Sequence, residues 1–295
     1  MKPMKRVHLG CLVALAASWA TAQAQTVTVN FDAAGALDNN FNIYQNISAA
    51  NGGPVINAAT GSPYSQVLAG GVGGSGRVNI ATPATGITTD STAIYKNTSF
   101  DFSTAGKALN ISASVNIIAT TESGNRLLQL GFANENNSGM NGNAGLAFMS
   151  LRLNPTAINS TVFAPQWQTK VASGTTTVNT TGGANVTLTA GDWYQLSLTF
   201  ANLGAGSIQG SGFVQDFGAD GLTPGASFSF SPITLTSADI ASDSSTWPAF
   251  RTFAADGSGG LDNLSASAVP EPGTTVLVAL GLGTLLLAGR RQRNR

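Results

Sequence analysis

Strict alternation of apolar and polar side chains is the feature that most narrows what this chain can become. Leu109, Ile111, Ala113, Val115 and Ile117 alternate with Asn110, Ser112, Ser114 and Asn116. That period of two suits a strand with one face in a core and the other in water. Asp192–Phe200 (DWYQLSLTF) repeats the pattern, with Tyr194, Leu196, Leu198 and Phe200 on one side. Gly145–Leu153 (GLAFMSLRL) sets Ala147, Met149, Leu151 and Leu153 against Phe148, Ser150 and Arg152. Arg126–Ala133 (RLLQLGFA) is apolar enough for an interior strand.

Further strands are predicted at Thr26–Phe31, Arg77–Ile80, Thr161–Val171, Ser207–Phe217, Ala226–Leu235, Phe250–Ala255 and Leu261–Ala268. Polar and glycine-rich stretches punctuate them. Gly70–Gly76 (GGVGGSG) reads as a turn or hairpin, Thr82–Thr92 as a polar loop and Ser173–Gly183 as a polar ribbon. The glycine run opens no helix and lacks a Lys-Ser/Thr ending, which argues against a phosphate-binding loop. One turn of helix fits Ser237–Ile240, with Ser237 as its cap. About a dozen short strands, almost no helix and no fixed repeat point to an all-β, antiparallel sandwich over residues 25–268.

The two ends of the chain differ from this middle. Met1–Gln25 carries Lys2, Lys5 and Arg6, then the apolar run Leu9–Ala20, then Ala22-Gln23-Ala24. This is the layout of a secretory signal peptide, residues 1–24, cut after Ala24, or alternatively after Ala22. Cys11 precedes most of the apolar run, so Leu9-Gly10-Cys11 is not expected to be a lipidation site. At the other end, residues 269–295 hold Pro270-Glu271-Pro272, an uncharged run, and Arg290, Arg291, Arg293 and Arg295. The run from Gly273 to Gly289 is 17 residues. As a helix it would measure about 25 Å, near the short end of what spans a bilayer core. The arginines would stay cytoplasmic. One C-terminal transmembrane helix is therefore expected.

The order of proline triplet, apolar helix and basic tail resembles the PEP-CTERM sorting signal of Gram-negative bacteria. That resemblance implies export across the inner membrane by the secretion machinery. It also implies a temporary C-terminal single-pass anchor and recognition by an exosortase, a membrane transpeptidase, at Pro270, Glu271 and Pro272. Pro270 and Pro272 bias the backbone to an extended form that such a site can grip. The expected end point is the cell surface or the extracellular matrix, in bacteria that make exopolysaccharide.

Composition removes most chemistry from the exported part. Cleavage after Ala24 takes away His8 and Cys11, the one histidine and the one cysteine. Disulfides, thiolate nucleophiles, Cys/His zinc sites and a Ser-His-Asp triad are then excluded. Between Gln25 and Val269 stand seven basic and thirteen acidic side chains, a net charge near −6. Nucleic acid and anionic lipid surfaces are poor partners for such a domain.

The strand GDWYQLSLTF, the polar ribbon before it and the ending FRTFAADGSGGLDNLSA are similar to concanavalin A-like (laminin-G-like) jelly rolls. That resemblance implies pairing of the first and last strands, with Val27 and Val29 alongside Leu261 and Leu264. Glycosidases of the fold carry closely spaced carboxylates, Glu-x-Asp-x-Glu on one strand. Here Glu122 and Glu135 are the only glutamates between the two signals, and neither has a neighbouring carboxylate in sequence. No enzyme is expected.

Two binding chemistries stay open. Calcium takes carboxylate and carbonyl oxygens, which the loops at Asp216, Asp220 and Asp256 would present, joined by Asp32, Asp38, Asp262 and Asn263 if the termini pair. The alternative is that Asp-Gly pairs make turns. For sugars, Trp167, Trp193 and Trp247, with Tyr64 and Tyr95, would offer flat platforms, the alternative being core or rim packing. The expected function is a non-catalytic surface or matrix protein linked to exopolysaccharide and biofilm. A carbohydrate-binding module and a glycoside-active enzyme of the same fold are its alternatives. No cofactor is expected.

Overall fold

In the computed structural model every alternating segment is a strand. The structure describes residues 24–46, 64–80, 89–118, 126–135, 147–157, 160–170, 176–180, 183–254 and 258–269. Residues 1–23, nearly all of the expected signal peptide, and the tail from Pro270 to Arg295 lie outside these. So do Glu122 and Asp256. The chain divides into Gln25–Ala268 and a second unit of Met1–Ala24 with Val269–Arg295. Among the described residues no helix is long and apolar enough to cross a membrane.

The strands are β1 (Thr26–Val29), β2 (Phe41–Asn46), β3 (Tyr64–Val67), β4 (Arg77–Ile80), β5 (Thr89–Tyr95) and β6 (Ala108–Ile118). Next come β7 (Arg126–Ala133), β8 (Phe148–Pro155), β9 (Val162–Lys170), β10 (Thr176–Thr180) and β11 (Val186–Thr187). The last are β12 (Trp193–Gly204), β13 (Ser207–Asp216), β14 (Ser227–Thr236), β15 (Trp247–Ala254) and β16 (Ser258–Val269). Two short helices interrupt them, α1 (Ala36–Asn40) and α2 (Ala238–Ala241). Ser237 caps α2 as expected, its side chain accepting from the Ile240 N–H.

Two eight-stranded sheets result. Sheet A runs β14-β13-β12-β6-β16-β4-β3, with β1 also on β16; sheet B runs β10-β9-β8-β7-β15-β5-β2, with β11 also on β9. β7 is interior, between β15 and β8. The first and last strands pair, in the register Val27↔Ala266 and Val29↔Leu264. Leu261 departs from expectation: it pairs with Val78 of β4 instead. β1 and β4 thus share β16, and Asp262-Asn263 lies where one partner gives way to the other.

That change of partner is built on a buried carboxylate. Asp262 is 0% exposed. Its Oδ2 accepts from the Val72 N–H at 3.1 Å and the Ser75 hydroxyl at 2.7 Å, and its Oδ1 from the Asn263 N–H. Asn263 takes a left-handed φ of 50°, which asparagine tolerates better than most residues. The glycine run 70–76 is therefore a turn folded over Asp262. Gly76 comes so close to the chain that an added Cβ would lie 2.1 Å from the Phe31 carbonyl oxygen.

The inward rows of the two sheets form the core, and aromatic rings stitch one sheet to the other. Phe132 of sheet B meets Phe200 of sheet A at 6.0 Å. Phe200 meets Trp167 of sheet B at 5.6 Å, which in turn meets Phe230 of sheet A at 6.4 Å. All three contacts are edge-on, the arrangement that ring quadrupoles favour. Tyr194, Leu196, Leu198 and Phe200 face inward and are buried. The outer side of sheet A carries Asn110, Ser112, Ser114, Ser197 and Thr199, with Thr199 donating to Asn110 at 2.8 Å.

Sheet B breaks the one-face-wet expectation. Met149, Leu151 and Leu153 are buried on its inner side, yet Phe148 and Ser150 on the outer side are 0% exposed as well. A second small apolar cluster occupies that outer side: Tyr44, Ile94, Ala133, Phe148 and Ala249, with Trp247 packed against it.

Candidate functional site

The outer side of sheet B holds a row of polar side chains without a turn-making role. Four consecutive strands contribute one residue each to a single transverse row. Arg251 of β15 pairs with Gln129 of β7, Gln129 with Arg152 of β8, and Arg152 with Gln166 of β9. Because side chains alternate along each strand, this register alone places all four on the same face. Thr92 and Tyr44 continue the row through β5 and β2.

The row is knit by hydrogen bonds. Arg251 Nη1 donates to Gln129 Oε1 at 3.0 Å, and Gln129 Nε2 donates to Ser150 Oγ at 2.6 Å. Arg152 donates from Nε at 2.9 Å, and from Nη2, to the one oxygen Gln166 Oε1. Gln129, Ser150 and Gln168 are buried, while Arg152, Gln166 and Arg251 are half-buried. Gln168, beside Ser150, has a buried Oε1 with no hydrogen-bond partner, which costs free energy unless something supplies a donor.

Electrostatics follow from this crowding. Burial, and then the like charge of Arg251, pull the Arg152 guanidinium down from its ordinary value. It nonetheless stays charged at neutral pH, as arginine does. Burial pushes the Tyr44 hydroxyl up to about 12, with the Asn42 hydrogen bond opposing. Along the next rows stand Ala249, Gly131, Ser150 and Gln168, then Trp247, Ala133, Phe148 and Lys170. Burial pushes the Lys170 amine down.

The aromatic candidates fall elsewhere. Trp167 is 0% exposed in the core, and Trp193 is 3% exposed. The Trp193 ring lies against Gly260 of β16, where an added Cβ would be 3.0 Å from it. Neither offers a ring face to solvent, which corrects the expected sugar platform. Tyr64 and Tyr95 are buried too. Trp247 alone among the three tryptophans keeps part of its surface exposed, on the same face as the polar row.

The acidic candidates organise turns. Asp216 Oδ1 accepts from the Gly218 N–H at 2.8 Å, and Asp220 Oδ1 from the Leu222 and Thr223 N–H groups. Those backbone donors lower the Asp220 carboxyl. Asp32 accepts from Gly76, Asp101 from Ser103 and Asp243 from Ser245. Among the described residues no group of three or more His, Cys, Asp or Glu is placed to hold a metal ion. Asp216 also lines a cleft of about 210 Å³ with Val186, Tyr194, Val214 and Phe228. The Tyr194 hydroxyl there already accepts from the Thr189 N–H at 2.6 Å.

Arg152 was legible as an outward residue of an otherwise apolar strand. Arg251, Gln129, Gln166 and Gln168 carried no such signal, because only the cross-strand register brings them together.

Residues 268–293 match the family described as the PEP-CTERM protein-sorting motif. No curated protein matches the chain. Several solved structures are similar in fold, among them legume lectins. Lectin II from Ulex europaeus is 11% identical, with a TM-score of 0.44 over 83% of this chain and 99% of its own. Peanut lectin with a nine-residue peptide is 9% identical, with a TM-score of 0.46 over 83% and 98%. A carbohydrate esterase from the Shiga toxin-encoding bacteriophage phi24B is 14% identical, with a TM-score of 0.48 over 84% and 100%. None of these likenesses assigns a role to a residue of this chain.

Proposed function

We propose that this chain is an exported surface protein, presented at the membrane by its C-terminal segment and processed there by an exosortase. In this reading its sandwich serves a non-catalytic structural or adhesive role in an exopolysaccharide layer. The observation that carries the reading is the sorting motif at 268–293, which begins on the last two residues of β16. Its Pro270-Glu271-Pro272 triplet would then stand directly beyond a paired strand, with no linker between cargo and signal. The leader cut after Ala24 would likewise leave one residue, Gln25, before β1.

The non-catalytic part is supported by the aspartates, six of which accept backbone N–H groups that close turns and strand junctions. Carbohydrate binding is a second reading, favoured by the row of guanidinium and amide groups on the outer side of sheet B. Such groups recognise sugar hydroxyls by fixed hydrogen bonds.

An epitope fused after Arg295 tests the main reading. Expressed with an exosortase, surface-exposed protein is expected to have lost the epitope; without one it is expected to keep it. Surface protein that keeps the epitope in both hosts would overturn the reading.

A further inference from the structure

Six strands of sheet A present an outer side without charge. β14, β13, β12, β6, β16 and β1 together hold two charged side chains, Asp216 and Asp262. Asp216 turns inward, paired with Tyr194 and lining the cleft beside it. Asp262 is buried under the glycine run. Seven basic and thirteen acidic side chains stand between Gln25 and Val269, and all but these two lie off the six strands. What faces outward is mostly hydroxyl and amide. One transverse row reads Ser112, Ser197, Phe213 and Ser229, and the next reads Ser114, Gln195, Gln215 and Ser227. Phe213 is 38% exposed, a ring left standing among serines.

Such a face is complementary to itself. Serine and glutamine each offer a donor and an acceptor, so two copies of the face can hydrogen-bond to each other across a two-fold axis. A face of one charge cannot do this. The domain's net charge is near −6, so two copies repel at most approaches and least at this one. The area fits as well. β14, β13, β12, β6 and β16 run ten to twelve residues each. Five strands about 4.8 Å apart, at about 3.3 Å per residue, give a plane of about 800 Å². Each partner in a stable interface contributes about that much. Gln25 and Ala268 also end side by side. A two-fold axis parallel to the strands leaves the ends of both copies on one side, as two chains held in one membrane require.

We infer that the outer side of sheet A joins this chain to a second copy, face to face, with Phe213 as the apolar anchor and Ser112, Ser197 and Gln195 among the groups that hydrogen-bond across. The pairing leaves the polar row of sheet B on the far side of each copy. It is independent of exosortase processing and of glycan binding.

Sedimentation velocity of the full-length chain in mild detergent measures the association. Two copies per particle are expected at micromolar protein. Phe213→Glu and Ser197→Glu each place a carboxylate on both copies and are expected to weaken pairing about tenfold or more. Phe213→Lys should weaken it likewise. An equal mixture of Phe213→Glu and Phe213→Lys should recover pairing, because the two faces then carry opposite charge; a loss of fold is not rescued this way. Thr161→Glu, exposed just before β9 of sheet B, is expected to change nothing. Circular dichroism melts check that each variant is folded; if the Phe213 variants are not, Ser197→Glu and Ser197→Lys serve in the same mixture. Single copies of the unaltered chain would overturn the inference. Pairs that persist in folded Phe213→Glu and Ser197→Glu would place the contact elsewhere and overturn it as well, as would a mixture that fails to recover pairing. Single copies retarded in a gel containing dextran, and released from it by Phe213→Glu, would assign the face to a neutral glycan in place of a second copy.

Discussion

The N–H of Ala268 donates to the carbonyl of Gln25 at 3.0 Å. That bond continues the β1–β16 ladder, whose register runs from Thr26↔Ser267 to Val29↔Leu264. The first residue left by the expected leader cut is thereby tied to Ala268, where the match to the sorting motif begins. The sheet closes only when both ends of the domain are on the same side of the membrane.

Leu264 anchors this closure and is 0% exposed. Leu264→Ala is expected to destabilise the protein by about 2–5 kcal/mol, by lost transfer energy plus the cavity left behind. Ser267→Ala, on the outer side of the same ladder, should stay within about 0.5 kcal/mol. Urea unfolding followed by fluorescence measures both. Equal effects would contradict the closure described here.

Asp262 is expected to matter more than any other carboxylate. Asp262→Ala strips an acceptor from Val72, Ser75 and Asn263 in a buried place. Each stranded donor costs about 1–3 kcal/mol, so a loss of about 3 kcal/mol or more is predicted. Asp262→Asn keeps one oxygen and should recover part of it. Indistinguishable midpoints for the two variants would contradict this.

Trp167 and Gly210 test the packing between sheets. A Cβ on Gly210 would sit 2.8 Å from the Trp167 ring, so Gly210→Ala should cost about 1–3 kcal/mol by overpacking. Trp167→Ala should cost about 3–5 kcal/mol. With the ring gone the added methyl has room, and the double variant is predicted to lose less than the two single losses added together. Strict additivity in a double-mutant cycle would contradict the contact.

Asp101 is an exposed contributor to acid sensitivity. Asp101 is held at about 2, from an ordinary 3.8, first by the Lys107 ion pair and then by Ser103. A carboxylate whose folded pKa is depressed adds stability above its unfolded pKa and loses it as pH falls through the folded one. The window is therefore about pH 4 down to about 2. Its side chain is 50% exposed, so solvent screening holds the contribution to about 0.5 kcal/mol. Asp101→Asn should flatten the stability curve in that window. An unaltered slope there would contradict the assignment.

The alternating strands were legible in the sequence because period two follows from which face is buried, a property each strand carries alone. β2, β3 and β5 were not. Their residues FNIYQN, YSQV and TDSTAIY mix polar and apolar side chains on both faces, and their pairing is decided by distant neighbours. The same reason hid the polar row, since Arg251 and Gln129 are 122 residues apart. Trp167 illustrates the converse: an aromatic residue in a strand reads alike whether it faces solvent or the opposite sheet. Only Phe200 and Phe230, on sheet A, place it in the core.

Intact mass spectrometry of the protein recovered from the surface of an exosortase-bearing host tests the central claim most directly. One mature species is expected, beginning at Gln25 and ending near Pro270-Glu271-Pro272, without Arg290 to Arg295. A surface species whose mass includes residues 273–295 would contradict it.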